Sequence, residues 1–202
     1  MSAHRIPLAV TGLATAVVLT ACGGGTDRPT GSADAPATSA PATGADAADA
    51  ANVTFAQQMT AHHQQALEMA ELAAERAGSA AVRGLADRIS TAQRAEIETM
   101  TGWLEDWGAE APMPGSGHGG HDMGDMPGGM SAEEMDRLGG LTGTAFDREW
   151  LAMMIRHHQG AVEMAETERA EGADPDAVTL AGQVVTDQTA EVAEMQELLG
   201  SL

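Results

Sequence analysis

MTAHHQQALEMAE, Met59–Glu71, is repeated as MIRHHQGAVEMAE, Met154–Glu166, with Met, both His, Gln, Ala, Glu and the second Met in register at an offset of 95 residues. Wound as a helix, the first copy places Phe55, His62, His63, Ala66, Met69, Ala70 and Ala73 within about 80° of Met59. Gln64, Glu68, Glu71 and Glu75 fall opposite. The second copy gathers Trp150, His157, His158, Ala161, Met164 and Ala165 around Met154 and turns Gln159, Glu163 and Glu166 away. The pattern therefore predicts two amphipathic helices whose apolar stripes carry the imidazoles. The equally repeated Glu68 and Glu163 belong to the solvated face.

The repeat extends past this stretch. Leu85, Ile89, Gln93, Glu96, Ile97, Met100 and Leu104 match Leu180, Val184, Gln188, Glu191, Val192, Met195 and Leu199 at the same offset. No segment alternates as a strand, and Ala, Glu, Gln, Leu and Met dominate, all good helix formers. Four helices are expected. The first runs from Asn52 as N-cap to about Ala77, the second from Ser79 to about Trp107. The third starts at a Thr144-x-x-Asp147 signal and ends at Gly172, and the fourth starts at Asp174-Pro175 and ends near Leu199-Gly200. Ser131 and Glu134 have the spacing of a capping box for a short extra helix ending at Gly139-Gly140. Two short-looped hairpins bury four amphipathic faces most simply as an all-α four-helix bundle. A helical repeat array needs more units.

On the second and fourth helices Gln93 and Glu96 share the face of Met100, as Gln188 and Glu191 share that of Met195. A carboxylate on a core face needs a partner, because an unpaired buried charge is very costly. The predicted interior thus holds four His, two Glu, two Gln and several Met. Such a set can be a hydrogen-bonded structural network or a metal site. Four His, twice at Met-x-x-His spacing, favour the metal. The candidate ligands are His62, His63, His157 and His158 with Met59, Met154, Met69 and Met164, and Glu96 and Glu191 as ligands or as groups that orient the His. Di-iron bundles carry Glu-x-x-His, but Met59 and Met154 occupy the Glu positions here. Thioether suits Cu(I), and imidazole suits Cu(I) and Cu(II) alike. Copper is therefore expected ahead of zinc or iron. The Gly-rich linker at 108–131 adds an accessory set, His118, His121, Met123 and Met126.

The ends bound the setting. Residues 1–21 read as a secretion signal closing on Leu19-Thr20-Ala21-Cys22, a lipobox in which Cys22, the sole Cys, is lipidated. Residues 22–51 are Gly, Pro, Ala, Ser, Thr and Asp and read as a disordered tether, leaving 52–202 as one helical domain. The chain has ten Arg, no Lys and 30 acidic residues, for a net charge of −20. That balance argues against nucleic acid or an anionic lipid surface as a partner. A metal ion, and the membrane through Cys22, are the partners expected.

The pairs HHQQALEMA and HHQGAVEMA, the Phe146-Asp147 start of the third helix and the Gln-x-x-Glu-[Ile/Val]-x-x-Met stretches resemble the bacterial domain-of-unknown-function family 305 over about residues 52–200. In that family Pro often precedes the His pair, where Ala61 and Arg156 stand in this chain. The resemblance implies a secreted or lipid-anchored, ferritin-like bundle. Some members bind copper outside the cytoplasm and support copper tolerance. The function expected is therefore a lipid-anchored extracytoplasmic copper-binding protein for sequestration, delivery or tolerance rather than an enzyme. Two other readings compete. One is a ferritin-like dinuclear metalloenzyme acting on oxygen or peroxide. The other is a metal-free structural or interaction lipoprotein.

Overall fold

The computed structural model describes residues 44–113 and 123–202, with side chains from Asp49 onward. Its helices are α1 (Gly44–Arg76), α2 (Ala80–Asp106), α3 (Ala132–Gly139), α4 (Gly143–Glu171) and α5 (Pro175–Ser201). A single 3-10 turn at Met123–Asp125 precedes α3. The result is an all-α bundle of two hairpins, α1–α2 and α4–α5, which meet mainly through α1 and α4. The signal, Cys22 and the tether up to residue 43, and His118 and His121, lie outside the described residues, whereas residues 44–51, expected as disordered tether, are helical in α1.

Local chemistry explains most boundaries. The Ser79 side chain accepts from the amide of Ala81 to open α2. The Asp174 side chain accepts from Asp176 and Ala177, with Pro175 at the first helical position of α5. Ser131 and Glu134 form the expected reciprocal capping box on α3. α1 and α4 run unbroken through Ala61 and Arg156, as two non-Pro residues at those positions allow.

Two expected starts are corrected. Asn52 is no N-cap, because α1 begins at Gly44, where an Ala-rich run carries the helix further back. Asn52 is buried, and its Oδ1 accepts from the amides of Ala173 (3.0 Å) and Asp174 (3.3 Å) in the α4–α5 turn. The Thr144-x-x-Asp147 signal also fails. α4 is preceded by Thr142, which makes no side-chain cap bond. Asp147 is buried and accepts from Gly78 (3.0 Å) and Ser79 (2.9 Å) in the α1–α2 turn. Each polar side chain satisfies orphan amides of the other hairpin rather than of its own helix.

The core divides into two apolar clusters. One gathers Met69, Leu85, Ile89, Phe146, Trp150 and Met154. The other gathers Phe55, Met59, Met100, Leu104, Met164 and Val184. Along α1 the His pair falls between Met59 of the second cluster and Met69 of the first. Along α4 it falls between Met154 of the first and Met164 of the second. The imidazoles thus form a polar layer between two dry ones.

Candidate metal centre

His62, His63, His157 and His158 are all fully buried. The rings of His62 and His157, equivalent positions of the two repeats, lie 3.6 Å apart between centroids at an interplanar angle of 31°. His63 Nε2 donates to Glu96 Oε2 (2.6 Å), and His158 Nε2 donates to Glu191 Oε2 (2.7 Å). His62 Nε2 donates to the Pro127 carbonyl and His157 Nε2 to the His62 carbonyl, each at 3.1 Å.

These partners fix the tautomers. A carbonyl oxygen only accepts, and a carboxylate only accepts, so each Nε2 carries the proton. All four Nδ1 atoms are buried with no hydrogen-bond partner, and in a neutral ring each presents a lone pair. The carboxamides of Gln93 and Gln188 are buried and unpartnered at both nitrogen and oxygen. Burial pulls His62 down to about 3, helped by the neighbouring His63 and His158 and opposed by Pro127. Burial, then His62, His158 and His63, hold His157 well below the usual range. Both rings are neutral at physiological pH, the state in which imidazole binds metal.

The residues fit a soft cation. An orphaned buried polar atom costs about 1–3 kcal/mol, so the four unpartnered Nδ1 atoms in one layer are a sizeable cost that a bound cation would offset. Met59 and Met154 are fully buried one turn before the His pairs. Met69 is fully buried too, and Met164 is nearly so. Among the described residues no three His, Asp or Glu side chains are already arranged to hold a metal. Glu96 and Glu191 occupy the Nε2 side of their His and leave Nδ1 as the ring atom without a partner. Of the accessory set, Met123 and Met126 are half-buried, and Met126 packs against the cluster of Phe55, Met59 and Met164.

Sequence reasoning missed four participants. Pro127 supplies the carbonyl on His62. The Gln65 carboxamide pairs in both directions with the Met130 backbone, at 2.7 and 2.8 Å. Arg156 reaches the Met130 sulfur and the Glu134 carboxylate. Glu168 is buried with an unpartnered Oε1. A signal existed for Gln65 and Arg156, since both stand where the two repeats disagree.

Fold and site together define a class of duplicated helical bundles that bury imidazole and thioether at their centre. The chain belongs to DUF305, the family described as a domain of unknown function, whose model matches residues 52–199. The resemblance seen in the paired His-His motifs is thus borne out. A candidate secreted DUF305 protein from Streptomyces coelicolor is 34% identical with a TM-score of 0.68, covering 77% of this chain and 95% of that one. A DUF305 fragment from Deinococcus radiodurans is 36% identical with a TM-score of 0.67, covering 75% and 97%. CopM in its Cu(II)-bound form is 32% identical with a TM-score of 0.63, covering 74% and 96%. CopM has a Cu(I)-bound form as well. Among curated proteins none matches the chain.

Proposed function

We propose that this chain is a copper-binding protein, anchored by a lipid on Cys22 at the extracytoplasmic face of the membrane, that sequesters or delivers copper. The observation that carries the reading is the layer of four buried imidazoles whose Nδ1 atoms have no hydrogen-bond partner. Met59 and Met154 bias this donor set toward Cu(I) over ferric iron or zinc. Copper-bound forms of the similar CopM support the same metal. The likeness to a candidate secreted protein supports an extracytoplasmic location.

In this reading His62, His63, His157 and His158 are the primary ligands through Nδ1, with Met59 and Met154 next and Met69 and Met164 at the edge of reach. Glu96 and Glu191 position their imidazoles and raise the basicity of Nδ1. His118, His121, Met123 and Met126 form an accessory capture set. Protein from copper-supplied cells should carry copper by elemental analysis, with less bound when His118 and His121 are both replaced by Ala. A variant with all four core His replaced by Ala, its helicity checked by circular dichroism, should lose the core copper. An unchanged stoichiometry and affinity would sink the assignment. Cys22→Ser should shift the protein from the membrane fraction to the soluble one.

A further inference from the structure

Within the stretches Met59–Glu71 and Met154–Glu166 the repeats disagree at four positions: Thr60/Ile155, Ala61/Arg156, Gln65/Gly160 and Leu67/Val162. Arg156, Gln65 and Gly160 have one thing in common, the strap formed by Met126–Met130. The Gln65 carboxamide donates to the Met130 carbonyl and accepts from its amide. Arg156 contacts the Met130 sulfur and, through Glu134, ties the strap to the cap of α3. At Gly160 a Cβ would run into the Pro127 carbonyl. Gly128 has a φ of 70°, and a side chain there would run into the Arg156 carbonyl.

A bundle with two equivalent halves has one strap, so the two halves cannot treat it alike. One repeat supplies a latch, Gln65. The other supplies a groove, Gly160, deep enough for the backbone to lie against α4. The seated strap places the Pro127 carbonyl on His62 Nε2, and the His62–His157 pair beneath it is fully buried. On its outer side Pro127 lines a pocket of about 420 Å³ with Phe55, Met164, Glu163 and Glu168. A thioether and two carboxylates therefore stand outside the strap, and imidazole lone pairs stand inside it.

We infer that the Met126–Met130 strap is the gate between this pocket and the His core, with Gln65 as its latch and Gly160 as its seat, so that metal enters and leaves when the strap lifts. This rests on the copper reading for the identity of the passenger. The latch is two hydrogen bonds to a backbone that is otherwise held by Arg156, by the His62 imidazole and by the packing of Met130 and Met126 against the core. Its loss should leave the ligands in place and change the rate of exchange.

The test uses the full chain, its Gln65→Ala variant, which cuts the latch, and Gly160→Ala, which fills the seat while favouring the helix. Three rates are read: amide exchange at Met130, diethylpyrocarbonate modification of His62 resolved by mass spectrometry, and Cu(I) transfer to a competing chelator. Gln65→Ala should speed Met130 exchange, and both variants should speed His62 modification and Cu(I) release by about tenfold or more, with copper stoichiometry unchanged. The gate is overturned if Met130 exchanges no faster in Gln65→Ala. It is equally overturned if Met130 exchanges faster while His62 modification stays at the wild-type rate. Wild-type protein that binds no copper would remove the copper reading alone, since the modification rates still decide whether the strap controls access to the core.

Discussion

Asn52 and Asp147 stand at the same position of the two repeats, and each accepts two backbone amides from the turn of the opposite hairpin. This reciprocal clamp fixes how α1 meets α4, and with it the facing of His62 and His157. The two halves differ in charge. Asp147 makes charge-assisted bonds, which contribute about 1.5–3 kcal/mol each, whereas neutral bonds contribute about 0.5–1.5 kcal/mol. Asp147→Ala should therefore cost more than Asn52→Ala, on the order of 3 kcal/mol against about 1–2 kcal/mol. Urea denaturation of the two variants measures both. Equal losses, or losses within error of zero, would show that the turns hold without the clamp.

The tautomer assignment makes a separate prediction. Long-range proton–nitrogen spectra should show the proton on Nε2 in all four core His, because each Nε2 has an acceptor. Added Cu(I) should shift Nδ1 and leave the Nε2 proton in place. Observation of an Nδ1–H tautomer at His62 or His157 would contradict their Nε2–H bonds to the Pro127 and His62 carbonyls.

The face of each helix was legible because the repeat was read twice. A wheel through Met59 and another through Met154 select the same positions, and the buried residues on α1 and α4 follow them. Glu96 and Glu191 were legible for a different reason, since a carboxylate on an apolar stripe demands a partner, and His63 and His158 provide it. The roles of Asn52 and Asp147 were not legible. Local rules offer each as a cap for its own helix, and only the tertiary approach of the other hairpin reveals a stronger use. Pro127 was hidden for the same reason, because a carbonyl leaves no mark in sequence. Gln65 and Gly160 were visible as mismatches, but a mismatch gains meaning only when a third segment is seen to cross there.

Glu168 gives the pH behaviour a second component. Its carboxyl is buried and is pushed from 4.5 up to about 7, first by burial and then by the charges of Asp174 and Glu171. The sign follows from proton counting. Between these two values the folded chain holds a proton that the unfolded chain has released, so stability falls as pH rises through this window and stays low above it. Glu168→Gln cannot ionise, so it should match the wild type near pH 4 and exceed it by a few kcal/mol at most near pH 8. Taking the difference between variant and wild type cancels the opposing effect of the core His. A stability difference independent of pH would show that Glu168 titrates normally.

Met59 and Met154 decide whether the core is a soft-metal site or a hydrogen-bonded plug. Both are fully buried, so a change at either position tests packing as well as ligation. Leu separates the two, because Met and Leu are close in volume and such swaps usually cost less than about 1.5 kcal/mol. The double variant Met59→Leu/Met154→Leu should therefore stay folded while it removes both thioethers. Thioether donors favour Cu(I), whereas the imidazoles accept either oxidation state. Cu(I) affinity should fall by at least the roughly 10–100-fold that loss of a supporting group costs a metal site, and Cu(II) affinity should change much less. X-ray absorption of the Cu(I)-loaded protein should lose its copper–sulfur scattering in parallel. Unchanged Cu(I) affinity in a variant with wild-type stability would make the two methionines core filler and leave the four imidazoles to bind copper alone.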